Sequence, residues 1–228
     1  AAEFAFKTLG KRRMALLHDK SPYGQGLAEQ FAKTFTALGG KMVSEDGVSV
    51  GDKDFKALLT KLQGDKQKPE GIYFGGLYTE AGLLLKQMKE LGLKLPFAFI
   101  SGDGSKTSGL FDVAGESADG AYLSIVGIPV EDLPSAKTFM ENYKKRFTGS
   151  GEELKPFDHF GYEAAQIIMA AIERAGAPDR LKIIDELRKT DYTGLLGKTT
   201  FDAKGDTLNK IVTMTQAQGK SKVFATVK

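Results

Sequence analysis

The stretch Phe97 to Gly104, FAFISGDG, runs a short apolar strand directly into a Gly-rich turn with one carboxylate, Asp103, at its tip. A buried strand that stops at Ser-Gly-Asp-Gly leaves that carboxylate at the carboxyl end of a sheet, where open α/β folds place their ligands. Two earlier strands stop in the same way. Arg13 to His18 (RMALLH) runs into DKSPYGQG, and Gly71 to Phe74 (GIYF) runs into GGLYTEAG. The three strand ends bring Tyr23, Leu77, Tyr78 and Asp103 towards one edge. An anion with apolar walls is the outline of a binding site.

Helical segments separate these strands. Leu27, Phe31, Phe35 and Leu38 recur at helical spacing, and Gly39-Gly40 closes that helix as a left-handed cap. Lys41 to Val43 reads as a short strand. Phe55, Leu58, Leu59 and Leu62 mark one face of a second helix; Leu83, Leu84, Leu85, Met88 and Leu91 mark a third, closed by Gly92. This alternation predicts an α/β fold, a doubly wound and mainly parallel sheet with flanking helices and right-handed crossovers, to about Ser124. After Tyr122 to Val126 the character changes. Mainly helical stretches are expected at 135–147, 157–175 and 179–187, with a flexible break at Thr148 to Glu152. Phe201 to Lys228 returns to strand signals, with FDAKGD as a turn before KIVTMTQAQ and Gly219-Lys220 marking a hairpin before KVFATV.

Composition narrows the function classes. The 228 residues are 41% hydrophobic and 27% charged, which suits one substantial core or two small ones. The longest apolar runs, such as IIMAAI at Ile167 to Ile172, fall far short of the roughly 18 to 20 residues that cross a bilayer. The net charge of +3 is spread along the chain with no basic block among aromatics, so no nucleic-acid partner is expected. Absence of cysteine excludes disulfides and thiolate chemistry without identifying a compartment. The two histidines, His18 and His159, have no metal-ligand spacing, and neither a metal nor a cofactor is expected. The start AAEFAFKTLGKRR lacks the pattern of a signal peptide.

The Gly-rich turns fit neither the phosphate loop GxxxxGK[ST] nor a GxGxxG opening a helix, and there is no GxSxG elbow. This inventory of pocket groups without a proton relay points to binding and not to an enzyme. An α/β enzyme or a phospho-switch using Asp103 or Asp19 stays open as an alternative. It requires an acidic cluster and a lysine at later strand ends.

The succession HDKSPYGQGLAEQF, GDKDFKALLTKL, IYFGGLYTEAGLLLKQMKELGL, SGDG, PFDHFGYEAAQ and TGLLGKTTFDAKGD resembles the second lobe of bacterial periplasmic binding proteins for branched-chain amino acids, over nearly the whole chain. The resemblance implies the type I periplasmic-binding fold. It assigns residues 1–126 and 206–228 to the second lobe and 127–205 to the mainly helical remainder of an incomplete first lobe. About the first third of the family's length then has no counterpart before Ala1, so the chain reads as a truncated or processed form, periplasmic, with its export signal upstream. The implied function is capture of an amino acid for the membrane permease of an ABC transporter. A ligand-sensing regulatory domain on the same fold is the competing reading.

By the resemblance, Asp103 with Gly104 forms the turn whose acidic residue pairs with the α-ammonium of a bound amino acid, a charge-assisted bond stronger than a neutral one. Read from its neighbours alone, Asp103 equally suits a turn aspartate capping a helix that starts near Ser105. Tyr23 is a pocket wall with a usable hydroxyl, or a surface loop aromatic. Leu77 stands where the family often has a stacking tyrosine, and offers apolar contact without a hydroxyl. Tyr78 and Glu80 read as pocket or helix-start residues, Glu80 being favoured there by the helix dipole. Phe157 matches an aromatic of the side-chain pocket, or staples a helix start. The family's carboxylate-binding groups lie in the first lobe, and leucine, isoleucine and valine lead as ligands. Apolar area left in water costs about 25 cal/mol per Å². Phe160, Ile167, Ile168, Met169 and Ile172 are therefore expected to pack against a second chain, a swapped segment or a separately supplied first lobe.

Overall fold

The structure is a computed structural model that describes residues 1–93, 97–147, 149–152, 154–221 and 223–227. It divides into two compact units, Ala1–Ile125 with Thr213–Lys228, and Val126–Val212.

The first unit is built on a seven-stranded sheet of order β2-β1-β3-β4-β5-β8-β9. Its strands are β1 (Arg13–His18), β2 (Lys41–Gly47), β3 (Gly71–Gly75), β4 (Ala98–Ser101), β5 (Tyr122–Val126), β8 (Val212–Gln218) and β9 (Val223–Thr226). β1 to β5 pair in parallel, and β8 and β9 form an antiparallel hairpin. Helices α1 (Pro22–Ala37), α2 (Lys56–Gln63), α3 (Tyr78–Glu90) and α4 (Ser108–Ala114) connect the parallel strands. β2 runs past Val43 to Gly47; its added residues, Ser44 to Gly47, are polar, as suits an edge strand. A π-helical turn at Phe4–Thr8 precedes β1.

The alternation of β1 assigns its residues to two cores. Met14 and Leu16 pack with Ala28, Phe31 and Phe35 of α1, where Phe31 stacks on Tyr73 at 4.0 Å. Ala15 and Leu17 belong to the opposite core with Leu59 and Leu62 of α2 and Leu84 and Met88 of α3. A strand buried on both faces is expected to be apolar throughout, and β3 and β4 are buried along their whole length. The chain leaves β1 for β2 on one side and returns to β3 on the other. The switch point of the sheet therefore lies between the carboxyl ends of β1 and β3.

The second unit contains α5 (Lys137–Phe147), α6 (Asp158–Ala175) and α7 (Arg180–Arg188), followed by the antiparallel hairpin β6 (Asp191–Gly194) and β7 (Gly197–Thr200). Thr148, in the break between the first two helices, lies outside the described residues. α6 ends on Gly176 in the left-handed conformation, and Asp179 caps α7 by accepting the Leu181 and Lys182 N–H groups. Val130, Leu133, Ala136 and Leu195 form the unit's small core. Glu163, buried on α6, ties the hairpin down by accepting from the Leu196 N–H at 3.1 Å and the Thr199 hydroxyl at 3.3 Å.

α6 carries a broad apolar face of which only part is buried. His159, Glu163, Ile167 and Ala171 are buried at intervals of four residues, while Ile168, Met169 and Ile172 are exposed. Ile167 is thus used within its own unit and does not join the outward strip. Phe160 is half-buried against Gly127.

Candidate ligand-binding site

Hydrogen bonds and close packing fix the strand ends at the switch point. After β1, the N–H of Asp19 donates to the Gly75 carbonyl at 2.9 Å. The buried Asp19 carboxylate accepts from the Ser21 N–H at 2.9 Å and the Ser21 hydroxyl at 2.6 Å. Ser21 in turn caps α1, its Oγ accepting from the Gly24 N–H at 2.9 Å, with Pro22 at the first helical position. These bonds place Tyr23 in the first turn of α1. Helix and sheet approach so closely here that a Cβ on Gly24 or on Gly75 would overlap the other residue's carbonyl oxygen.

After β3, Leu77 precedes α3 with an extended backbone, and Tyr78 begins the helix with its ring against Gly109. Glu80 does sit in the first turn of α3, but it is buried and accepts the Gly51 N–H at 2.9 Å. It therefore anchors the 48–55 loop and not a ligand.

After β4 comes the turn that carries Asp103. The Tyr23 hydroxyl donates to Asp103 Oδ1 at 2.7 Å and accepts from the Gly104 N–H at 3.0 Å. Burial first, and this bond second, push the Tyr23 phenol up to about 12, so it stays a donor through the physiological range. Asp103 caps no helix: the short 3-10 turn at Asp103–Ser105 has no side-chain cap, and α4 begins only at Ser108. Gly104 leaves no space to spare, since a Cβ there would lie 2.9 Å from both Leu77 Cδ2 and Tyr23 Oη.

Tyr23, Leu77, Asp103 and Gly104 are thus brought together at one sheet edge, with Tyr78 on the flank. Tyr23 at 40%, Leu77 at 44% and Tyr78 at 38% exposure leave this shelf open to a ligand. Phe157 belongs to the second unit, where it precedes α6 and is exposed. The supports Asp19, Ser21, Ser101 and Ser105 had no reading as such from sequence; their signal is a small hydroxyl or carboxylate at each strand end. Among the described residues no group of three or more His, Cys, Asp or Glu is placed to hold a metal ion.

An α/β unit that presents a carboxylate, a phenol and an apolar wall at its switch point defines a small-molecule binding module. The chain belongs to the periplasmic binding protein family, whose profile matches residues 1–222. It is similar to a Leu/Ile/Val-binding protein homologue of Brucella abortus, at 37% identity over 195 residues, 85% of this chain and 50% of the relative. It is also similar to the leucine-, isoleucine-, valine-, threonine- and alanine-binding protein of Pseudomonas aeruginosa, at 34% identity over 92% of this chain and 54% of the relative. A leucine binding protein from Thermotoga maritima superposes with a TM-score of 0.84 at 32% identity, covering 100% of this chain and 63% of that one. The branched-chain amino acid transporter substrate binding protein of Streptococcus pneumoniae, in complex with isoleucine, gives 0.80 at 27% identity, again with 100% and 63% coverage. The chain spans about half the length of the curated relatives it matches.

Proposed function

We propose that this chain holds the amine end of an α-amino acid, probed best by leucine, isoleucine and valine, as part of the periplasmic solute-binding component of an ABC transporter. One observation carries the reading. The Asp103 carboxylate stands at the open switch point with one oxygen held by Tyr23, in a position to accept charge-assisted bonds from an ammonium. The Tyr23 hydroxyl spends its proton on Asp103 and accepts from the Gly104 N–H, so it orients the carboxylate and leaves Asp103 to meet the ammonium. Leu77 and Tyr78 supply apolar wall, and Gly104 lets Leu77 and Tyr23 close on the turn. Binding without turnover needs no more than these groups, and the names of the relatives support amino-acid cargo and a transporter partner.

A thermal-shift titration with a panel of amino acids tests this. Leucine at about 100 times its dissociation constant should add roughly 2.7 kcal/mol to stability, with alanine and charged amino acids shifting the midpoint less. A midpoint that moves with none of the panel would defeat the reading.

The outward strip of Ile168, Met169 and Ile172 is covered, in this reading, by a further polypeptide segment or a second chain, because apolar area left in water costs about 25 cal/mol per Å². Ile168→Glu is expected to improve the solubility of the given chain and to abolish association with such a segment, followed by light scattering. A monodisperse wild-type monomer whose solubility and stability do not respond to that substitution would contradict the cover.

A further inference from the structure

Beneath the Asp103 turn lies a polar rung that binds no part of the shelf directly. Ser101 and Ser105 are completely buried, with their Oγ atoms 2.8 Å apart. Ser101 Oγ donates to the Phe74 carbonyl at 2.8 Å, at the end of β3, and Ser105 Oγ reaches the Gly76 carbonyl at 3.4 Å. Each hydroxyl has one proton. Ser101 spends its proton on Phe74, so the Ser105 proton is shared between Ser101 Oγ and Gly76. The Ser105 N–H also donates to the Gly102 carbonyl at 3.2 Å, closing the turn over the rung. Lifting the turn would take Ser105 Oγ away from both Ser101 Oγ and the Gly76 carbonyl, while Ser101 keeps its bond to Phe74, and losing buried hydrogen bonds is disfavoured.

The same turn carries the two groups that meet Tyr23, namely Asp103 Oδ1 and the Gly104 N–H. We infer that the Ser101–Ser105 hydroxyl pair is the positioning device of the site: it holds the turn at the depth where Asp103 and Gly104 engage Tyr23, and thereby aims the carboxylate at a ligand amine. The last clause rests on the amino-acid reading; the positioning itself rests on the geometry of the shelf. Neither serine touches the ligand. They act through Asp103 and Gly104.

The test reads the Tyr23 hydroxyl directly, by NMR of its exchange with water near neutral pH in chain carrying Cζ-labelled tyrosine, with Tyr23→Phe providing the assignment. In the wild type the proton is protected by its bond to Asp103. Ser105→Ala should accelerate its exchange by at least about tenfold, the protection of roughly one hydrogen bond, while the fold of the sheet persists by amide exchange. Ser101→Ala should do the same, and decides the matter if Ser105→Ala does not fold. Asp103→Ala sets the scale for a lost acceptor. Wild-type exchange in folded Ser105→Ala or Ser101→Ala chain would overturn the inference. A parallel titration compares leucine with its des-amino analogue, 4-methylpentanoate. Loss confined to leucine in Ser105→Ala supports aiming at the amine, and equal loss for both ligands overturns that part. If wild type binds neither ligand, the amino-acid reading fails, while hydroxyl exchange still decides the positioning.

Discussion

Replacing Asp103 with alanine is expected to weaken leucine binding by roughly thirtyfold to several thousandfold, the effect of about 2–5 kcal/mol for removing one partner of a desolvated charge pair. The loss has two sources. The ligand ammonium would lose its counter-charge, and the Tyr23 hydroxyl would lose the acceptor 2.7 Å away that orients it. Asp103→Asn separates them, because the amide oxygen still accepts from Tyr23 while the charge is gone. Most of the loss should persist in Asp103→Asn, and calorimetric titration with leucine on a chain of its relatives' length would measure both variants. Affinity retained within about twofold in Asp103→Ala would remove Asp103 from the site.

Gly75→Ala should be among the most damaging single changes, with a stability loss of about 3 kcal/mol or more, a large share of the roughly 5–15 kcal/mol that holds a domain folded. The new methyl would overlap the Gly24 carbonyl, a backbone atom at the start of α1 that cannot rotate aside. Separating α1 from β3 to admit it would also pull the Asp19 N–H from the Gly75 carbonyl and unsettle Tyr23. Gly26→Ala is the matched control. Gly26 lies in the same helix with nothing near its missing side chain, so alanine there should stabilise by about 0.5–1 kcal/mol. Urea unfolding of the two variants should move their midpoints in opposite directions; equal midpoints would refute the close-packing argument.

The convergence of three strand ends was legible because each carries the same local signal, an apolar run broken by Gly, Ser and Asp. That signal locates Tyr23, Leu77 and Asp103 at one edge, but it cannot show that a residue 80 positions from Asp103 donates a hydrogen bond to it. Such a bond depends on how deeply the turn is seated, which the buried serines and the Gly24–Gly75 approach control. The hairpin at Asp191–Thr200 is illegible in the sequence for another reason. Its turn residues are Leu195 and Leu196, flanked by Gly194 and Gly197, and apolar turn residues carry no hairpin signal. They are there because Leu195 belongs to the core of the second unit and the Leu196 N–H meets Glu163. The π-helical turn at Phe4–Thr8 is illegible as well, since a single turn closed by i to i+5 bonds, such as that from the Leu9 N–H to the Phe4 carbonyl at 2.9 Å, leaves no apolar period. On α6 the sequence pattern correctly marked an apolar helix but could not apportion its faces: Ile167 turns inward and Ile168 outward.

Leu77 hangs from an extended backbone position (φ −100°) at the mouth of α3, with no side-chain bond tying it down, whereas Asp103 is held by a hydroxyl and a buried frame. The shelf therefore separates an invariant clasp from an exchangeable wall. If Asp103 grasps the amine as proposed, codon changes at position 77 to residues that still clear Gly104 would retune which side chains are welcomed. A set of chains differing only there would form a graded panel of molecular sensors sharing one scaffold and one folding stability.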